Sequence, residues 1–302
     1  MSLNPILKNM GFSEKDKVVI VHVDDVGITH SSIEAFEELV DFGTVSCGSA
    51  MVPTSWFPEV VKRAKDNRNL DLGLHLAFNG EYETYKWRPI STRSMESGFV
   101  DENGYFKQDK AEVMQTANPD YIAKEIEAQI EVSKNLGLIP THIDTHTGTL
   151  WNRKYMDPYV EVYKKHNIFP VLFYPKEKDP LMQNMIDGLN MDFDKLSKLE
   201  KEGFPLIDGI SGTPVEHTYD LSERFELTKK IFEGIQPGKL IHFAFHPMKG
   251  SAESIALNRY TGGRIGDYEV FRKQELKDFF KNKGIHLIGY RDVIKNISNK
   301  FI

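Results

Sequence analysis

Eight short stretches rich in apolar and β-branched residues recur along the chain, and amphipathic helical patterns fill most of the gaps between them. That alternation leaves few folds open, because parallel strands need long crossovers and a helix is the usual one. The stretches are residues 18–23 (VVIVHV), 45–52, 70–76, 140–144, 169–173, 205–208, 239–245 and 285–289. Each is bounded by turn residues, as strands of a buried parallel sheet are. Ser31 and Glu34 have capping-box spacing and open a helix that should stop near Gly43. Asn118-Pro119 opens another, with Ile122, Ile126 and Ile130 on one face. Residues 220–233 and 268–283 read as further amphipathic helices. The fold class is therefore α/β, a distorted TIM-like (β/α) barrel of seven or eight parallel strands.

At 302 residues the chain fits two domains or one large barrel. The pattern has no composition break, so residues 1–302 are expected to form one domain. Two connections break the rhythm: residues 77–118, expected as an insertion or lid, and residues 174–204. The first carries Tyr82, Tyr85 and Trp87. With Trp56 and Trp151 these could stack on sugar rings, or they could only pack the loop down.

A net charge of −6 argues against nucleic acid or an anionic membrane as partner. Cys47 is the only cysteine, which rules out an internal disulfide and a thiolate metal cluster. The N-terminal residues lack the pattern of a signal peptide, and no apolar run approaches a membrane span. A cytoplasmic location is the expectation, with homo-oligomerisation left open.

Active sites of such barrels form at the C-terminal ends of the strands. The first candidate strand ends in Asp24-Asp25-Val26-Gly27 and the third at His75. The fourth runs into His142, Asp144 and His146, and the seventh ends at His246-Pro247. Singly, each has a bland reading as a turn, a cap or a hydrogen-bonded structural histidine. Together, four strands deliver carboxylate or imidazole to one rim. A carboxylate and two imidazoles would leave a divalent ion open positions for water and substrate. His22, His30, His166, His217, His242 and His286 read as structural or solvent-exposed, although His22 shares strand parity with Asp24.

At these residues the chain resembles the YdjC-like carbohydrate deacetylase family, from VIVHVDDVG through LGLHL, PTHIDTH and FAFHP to FRKQEL. The resemblance implies a barrel related to polysaccharide deacetylases and a hydrolase that removes N-acetyl groups from amino sugars or oligosaccharides. It implies Asp25, His75 and His146 as ligands of one divalent metal, Mg²⁺ or Zn²⁺. Asp24 resembles the catalytic base and His246 the general acid, with Asp144 as a carboxylate that could keep His246 charged. His142 is a reserve ligand, Trp87 a substrate-side aromatic, and Arg272 and Glu275 match an element expected to support the site. Thr147-Gly148 stand where the family often continues with histidines, and His22-Val23 replace its small polar run. The rival readings are hydrolysis of another ester or phosphoester bond, and a sugar-binding barrel without chemistry.

Overall fold

The computed structural model describes residues 3–175, 188–216, 220–257 and 259–297. His217 and part of the 174–204 connection lie outside them. Among the described residues eight strands occur: β1 (Lys17–Val26), β2 (Cys47–Ala50), β3 (Leu72–Leu76), β4 (His142–Thr145), β5 (Phe169–Pro170), β6 (Gly209–Gly212), β7 (Leu240–Phe245) and β8 (Ile285–Leu287). They form one parallel sheet in the order β5-β4-β3-β2-β1-β7-β6, with β8 added to β1. A single parallel bridge between Phe173 and Ile207 joins the two ends of that path. The result is a distorted (β/α) barrel with one thin seam.

Strand β1 is the hub. Its first residues, Lys17 to Val19, pair with β8, whereas His22 to Val26 pair with β2. Val18, Val19, Ile20, Val21 and Val23 are fully buried, as a β-branched run covered on both faces should be. Near its end the register slips: Val23 faces Gly48 but Val26 faces Ala50, three steps against two. This is a β-bulge, and within it Asp25 adopts a left-handed φ of 59°. In a regular strand Asp24 and Asp25 would point to opposite faces. The bulge turns both toward the same end of the barrel.

Most helices follow the sequence pattern. Asn118 caps Pro119–Asn135, burying Ile122, Ile126 and Ile130, and Asp220 caps Leu221–Gly234. Three details differ. The helix His30–Phe42 is capped by Thr29 with Ser32, not Ser31 with Glu34, because Thr29 is the extended residue whose hydroxyl meets the free Ser32 N–H. The 268–283 pattern is two helices, Thr261–Phe271 and Gln274–Asn282, separated at Arg272-Lys273. The sixth strand lies at 209–212, not 205–208: Pro205 has no N–H to give, and Ile207 only bridges to Phe173.

Gly73 on β3 shows how tightly the interior is filled. A Cβ there would come within 2.5 Å of the His142 ring. Gly73→Ala should therefore displace His142 and cost about 1–3 kcal/mol, read as a lower urea midpoint at unchanged m-value.

Candidate metal and catalytic site

Asp25, His75 and His146 come from β1, β3 and the turn after β4, and they converge at the C-terminal rim. The Asp25 Oδ1 atom lies 3.2 Å from His75 Nε2 and 3.1 Å from His146 Nδ1. All three side chains are buried. Each imidazole is held from behind by a carboxylate. His75 Nδ1 donates to Asp144 at 2.9 Å, and His146 Nε2 donates to Glu81 at 2.8 Å. With the outer nitrogens committed to those carboxylates, the nitrogens that meet Asp25 are the ones a cation would bind in place of their protons. Bonds of about 2.0–2.2 Å to a tetrahedral ion space its ligand atoms roughly 3.3–3.6 Å apart, so these donors fit after a small adjustment.

The electrostatics suit a cation. Burial alone would raise the Asp25 carboxyl, yet Arg264 and His146 hold it well below the usual carboxylate range. Burial opposes a charge on His146, but Glu81 and Asp25 push its pKa up to about 9. His75 is likewise raised well above its ordinary value, against burial, by Asp144 and Asp24. Arg264 donates to Asp25 Oδ2 at 2.7 Å from a buried position on the helix Thr261–Phe271.

Asp24 and His246 form the more open face, with side chains 15% and 25% exposed against 1–5% for the Asp25, His75 and His146 group. Asp24 accepts from His22 Nδ1 at 2.7 Å through Oδ1, and its Oδ2 lies 3.8 Å from His246 Nε2. The His246 backbone N–H donates to Asp267 at 3.2 Å. Asp267 is in turn gripped by the fully buried Arg224 at 2.7 Å and by Thr213 at 2.7 Å. His246 Nδ1 is buried and has no hydrogen-bond partner among the described residues.

Several expectations need correction. Asp144 does not stand beside His246. It binds His75 and Ser49, and Asp24 is the carboxylate near His246. His142 does not face Asp25; its Nε2 meets His22 Nε2 at 2.8 Å, deeper in the barrel. Arg272 and Glu275 are both exposed, and Arg272 pairs with Glu269 and covers Tyr268. They support nothing at the rim, and Arg264 and Asp267 do so instead. Tyr82 and Trp87 are buried against each other and Tyr85, and the Trp87 ring lies 6.1 Å from His146. Trp151 is buried and bonded to Val171, and Trp56 is bonded to Glu253. These aromatics pack the rim down.

Sequence reasoning missed Glu81, Arg264, Asp267 and Arg224. Arg264 and Asp267 had a signal, a charged pair three apart on a helix face that also carries Tyr268 and Phe271. Glu81 had none, being one acid in a polar loop.

A curled parallel barrel with an Asp and two His grouped at its C-terminal rim, as a site that could hold a metal ion, is the architecture of barrel deacetylases. Residues 18–282 match the model of the YdjC-like protein family, and the chain belongs to that family. A carbohydrate deacetylase of Thermoanaerobacter pseudethanolicus is 24% identical over 91% of this chain and 98% of its own length. A carbohydrate deacetylase of Thermus thermophilus is 26% identical over 65% of this chain and 64% of its own. Among solved structures, a cellobiose-phosphate cleavage protein of Enterococcus faecalis superposes with a TM-score of 0.71 at 20% identity, covering 92% of this chain and 99% of its own. Among the described residues no helix is long and apolar enough to cross a membrane.

Two variants test this architecture. Glu81→Gln should weaken zinc binding about 10–100-fold in calorimetric titration, because His146 loses the carboxylate that orients it. Arg224→Met should leave Asp267 charged and buried without its partner and cost about 3–5 kcal/mol in urea unfolding.

Proposed function

We propose that this chain is a metal-dependent hydrolase that removes N-acetyl groups from amino sugars or their oligosaccharides. The observation that carries the reading is the pairing of a buried Asp25, His75 and His146 group with an accessible Asp24 and His246 above it. Pure sugar binding needs neither a base nor an acid. Relatives described as carbohydrate deacetylases align over nearly the whole chain and support the same chemistry.

A divalent ion on Asp25, His75 and His146 would supply Lewis acidity, polarising the acetyl carbonyl and easing proton loss from water. Two imidazoles and one carboxylate favour zinc or a similar transition metal over magnesium. Asp24 accepts the proton from the attacking water. His22 fixes its Oδ1 and leaves Oδ2 toward the open side. Burial would raise the Asp24 carboxyl, but His75 and His22 keep it below its ordinary value and therefore ionised. As the C–N bond breaks, the amine nitrogen needs a proton, and His246 Nε2 is the donor.

The expectation that His246 enters charged does not suit its surroundings. Burial lowers its pKa, and although Asp25 and Asp24 oppose that, Arg264 reinforces it. The proton is better supplied within the site: Asp24 Oδ2 lies 3.8 Å from His246 Nε2, a span that one bridging water closes, so the proton taken by Asp24 passes through that water to His246 and then to the amine. The water hydroxyl ends on the acetyl carbon, so acetate and a free amine leave with the protons balanced. The chain acts in this reading as one domain, with residues 77–118 forming the wall of the sugar site.

His75→Ala and His146→Ala should each lose the ion at the rim and, with it, acetate release from N-acetylglucosamine oligomers. Full metal occupancy in either would remove the group as an ion site. Asp24→Asn should keep the metal but lose at least roughly 10³ in kcat. Phosphate release in place of acetate would move the activity to another bond.

A further inference from the structure

The interior of a (β/α) barrel is normally filled by branched aliphatic side chains. Here three buried histidines, His22 on β1, His142 on β4 and His242 on β7, stand together below the rim. The His22 ring centroid lies 5.0 Å from that of His142 and 4.6 Å from that of His242, and Tyr290 packs on His142 at 4.0 Å. Only the bond from His22 to Asp24 serves the reaction described above.

Hydrogen-bond directions make this cluster unusual. Asp24 can only accept, so the 2.7 Å contact places the His22 hydrogen on Nδ1. Thr141 Oγ1 donates to Asp71 at 2.6 Å and so accepts from His142 Nδ1 at 2.9 Å. The Nε2 atoms, not used in those bonds, face each other at 2.8 Å, placed to share a proton or, parted by about 0.5 Å, to hold one ion. Asp144 Oδ2 adds a third donor atom, 3.7 Å from His22 Nε2. Two imidazole nitrogens and a carboxylate oxygen packed so closely repel unless a proton or a metal cation lies among them.

We propose that His22 Nε2, His142 Nε2 and Asp144 Oδ2 bind a second divalent metal ion inside the barrel. The three atoms lie within 4.8 Å of one another, and all three residues are buried. Each ligand is backed from behind: His22 by Asp24, His142 by Thr141, and Asp144 by Ser49 Oγ at 2.9 Å. Two imidazoles and a carboxylate suit zinc. Enclosure marks the position as structural, filled as the chain folds. Asp144 Oδ1 also holds His75, so this carboxylate ties the inner ion to the outer ligand set.

The test is zinc stoichiometry, measured by mass spectrometry on full-length protein prepared with excess Zn²⁺ and freed of loose metal by gel filtration. Wild type should carry roughly two ions, His146→Ala and His22→Asn roughly one each, and the double variant none. His142→Gln should repeat the His22→Asn result, with circular dichroism checking that each variant is folded. Added zinc should raise the Tm of His146→Ala but not of the double variant. A wild type carrying a single ion that His146→Ala removes would overturn the proposal, because a proton then occupies the inner position. Two ions retained in both His22→Asn and His142→Gln would overturn it equally. A single ion lost in His22→Asn but kept in His146→Ala would support the inner site and count against the outer one.

Discussion

The rim depends on one buried carboxylate, that of Asp25. Its Oδ2 is neutralised by Arg264 and its Oδ1 faces two imidazoles, so neither oxygen is left without a partner. An unpaired carboxylate at that depth would neutralise itself by taking a proton. Arg264, more than two hundred residues away in sequence, is therefore what lets β1 end in a charge. The left-handed backbone at Asp25 is the local cost, of order 1–2 kcal/mol, and the bulge is held by pairing on both sides of β1.

The same bulge explains how two adjacent residues can take different tasks at one end of the barrel. Asp25 sinks toward His75 and His146, while Asp24 stays near the surface between His22 and His246. Behind them, acids hold bases in pairs: Asp144 holds His75, Glu81 holds His146, and Asp267 holds the His246 backbone. The directions of the His75 and His146 imidazoles are thus set by carboxylates from two different elements. That arrangement leaves little rotational freedom to lose when an ion or a substrate binds.

How much of this was legible in the sequence follows from what each feature depends on. Strand positions were readable because β-branched runs such as VVIVHV favour buried strands whatever they pack against. The rim histidines and Asp24-Asp25 were readable because parallel barrels put chemistry at strand ends, which fixes direction without fixing contacts. The bulge was not, since its cause is the pairing of β1 with Gly48 and Ala50. Glu81, Arg224 and Arg264 act across large sequence separations; the spacing of Arg264 and Asp267 marks a helix face, but no local pattern names the partner each one meets. Arg272 and Glu275 show the converse: their motif spacing was right, yet their side chains end in solvent.

The 77–118 segment gains a more definite role from these contacts. Glu81 reaches His146 from it, Trp87 packs beside the same ring, and the Glu81 carbonyl accepts from Arg259. A lid that swung free would have to take Glu81 away from His146, and so disturb the ion site each time it opened. The buried Tyr82 and Trp87 make the root of the segment part of the wall of that site. Variation in this segment would therefore be felt at His146, because Glu81 and Trp87 both meet its ring.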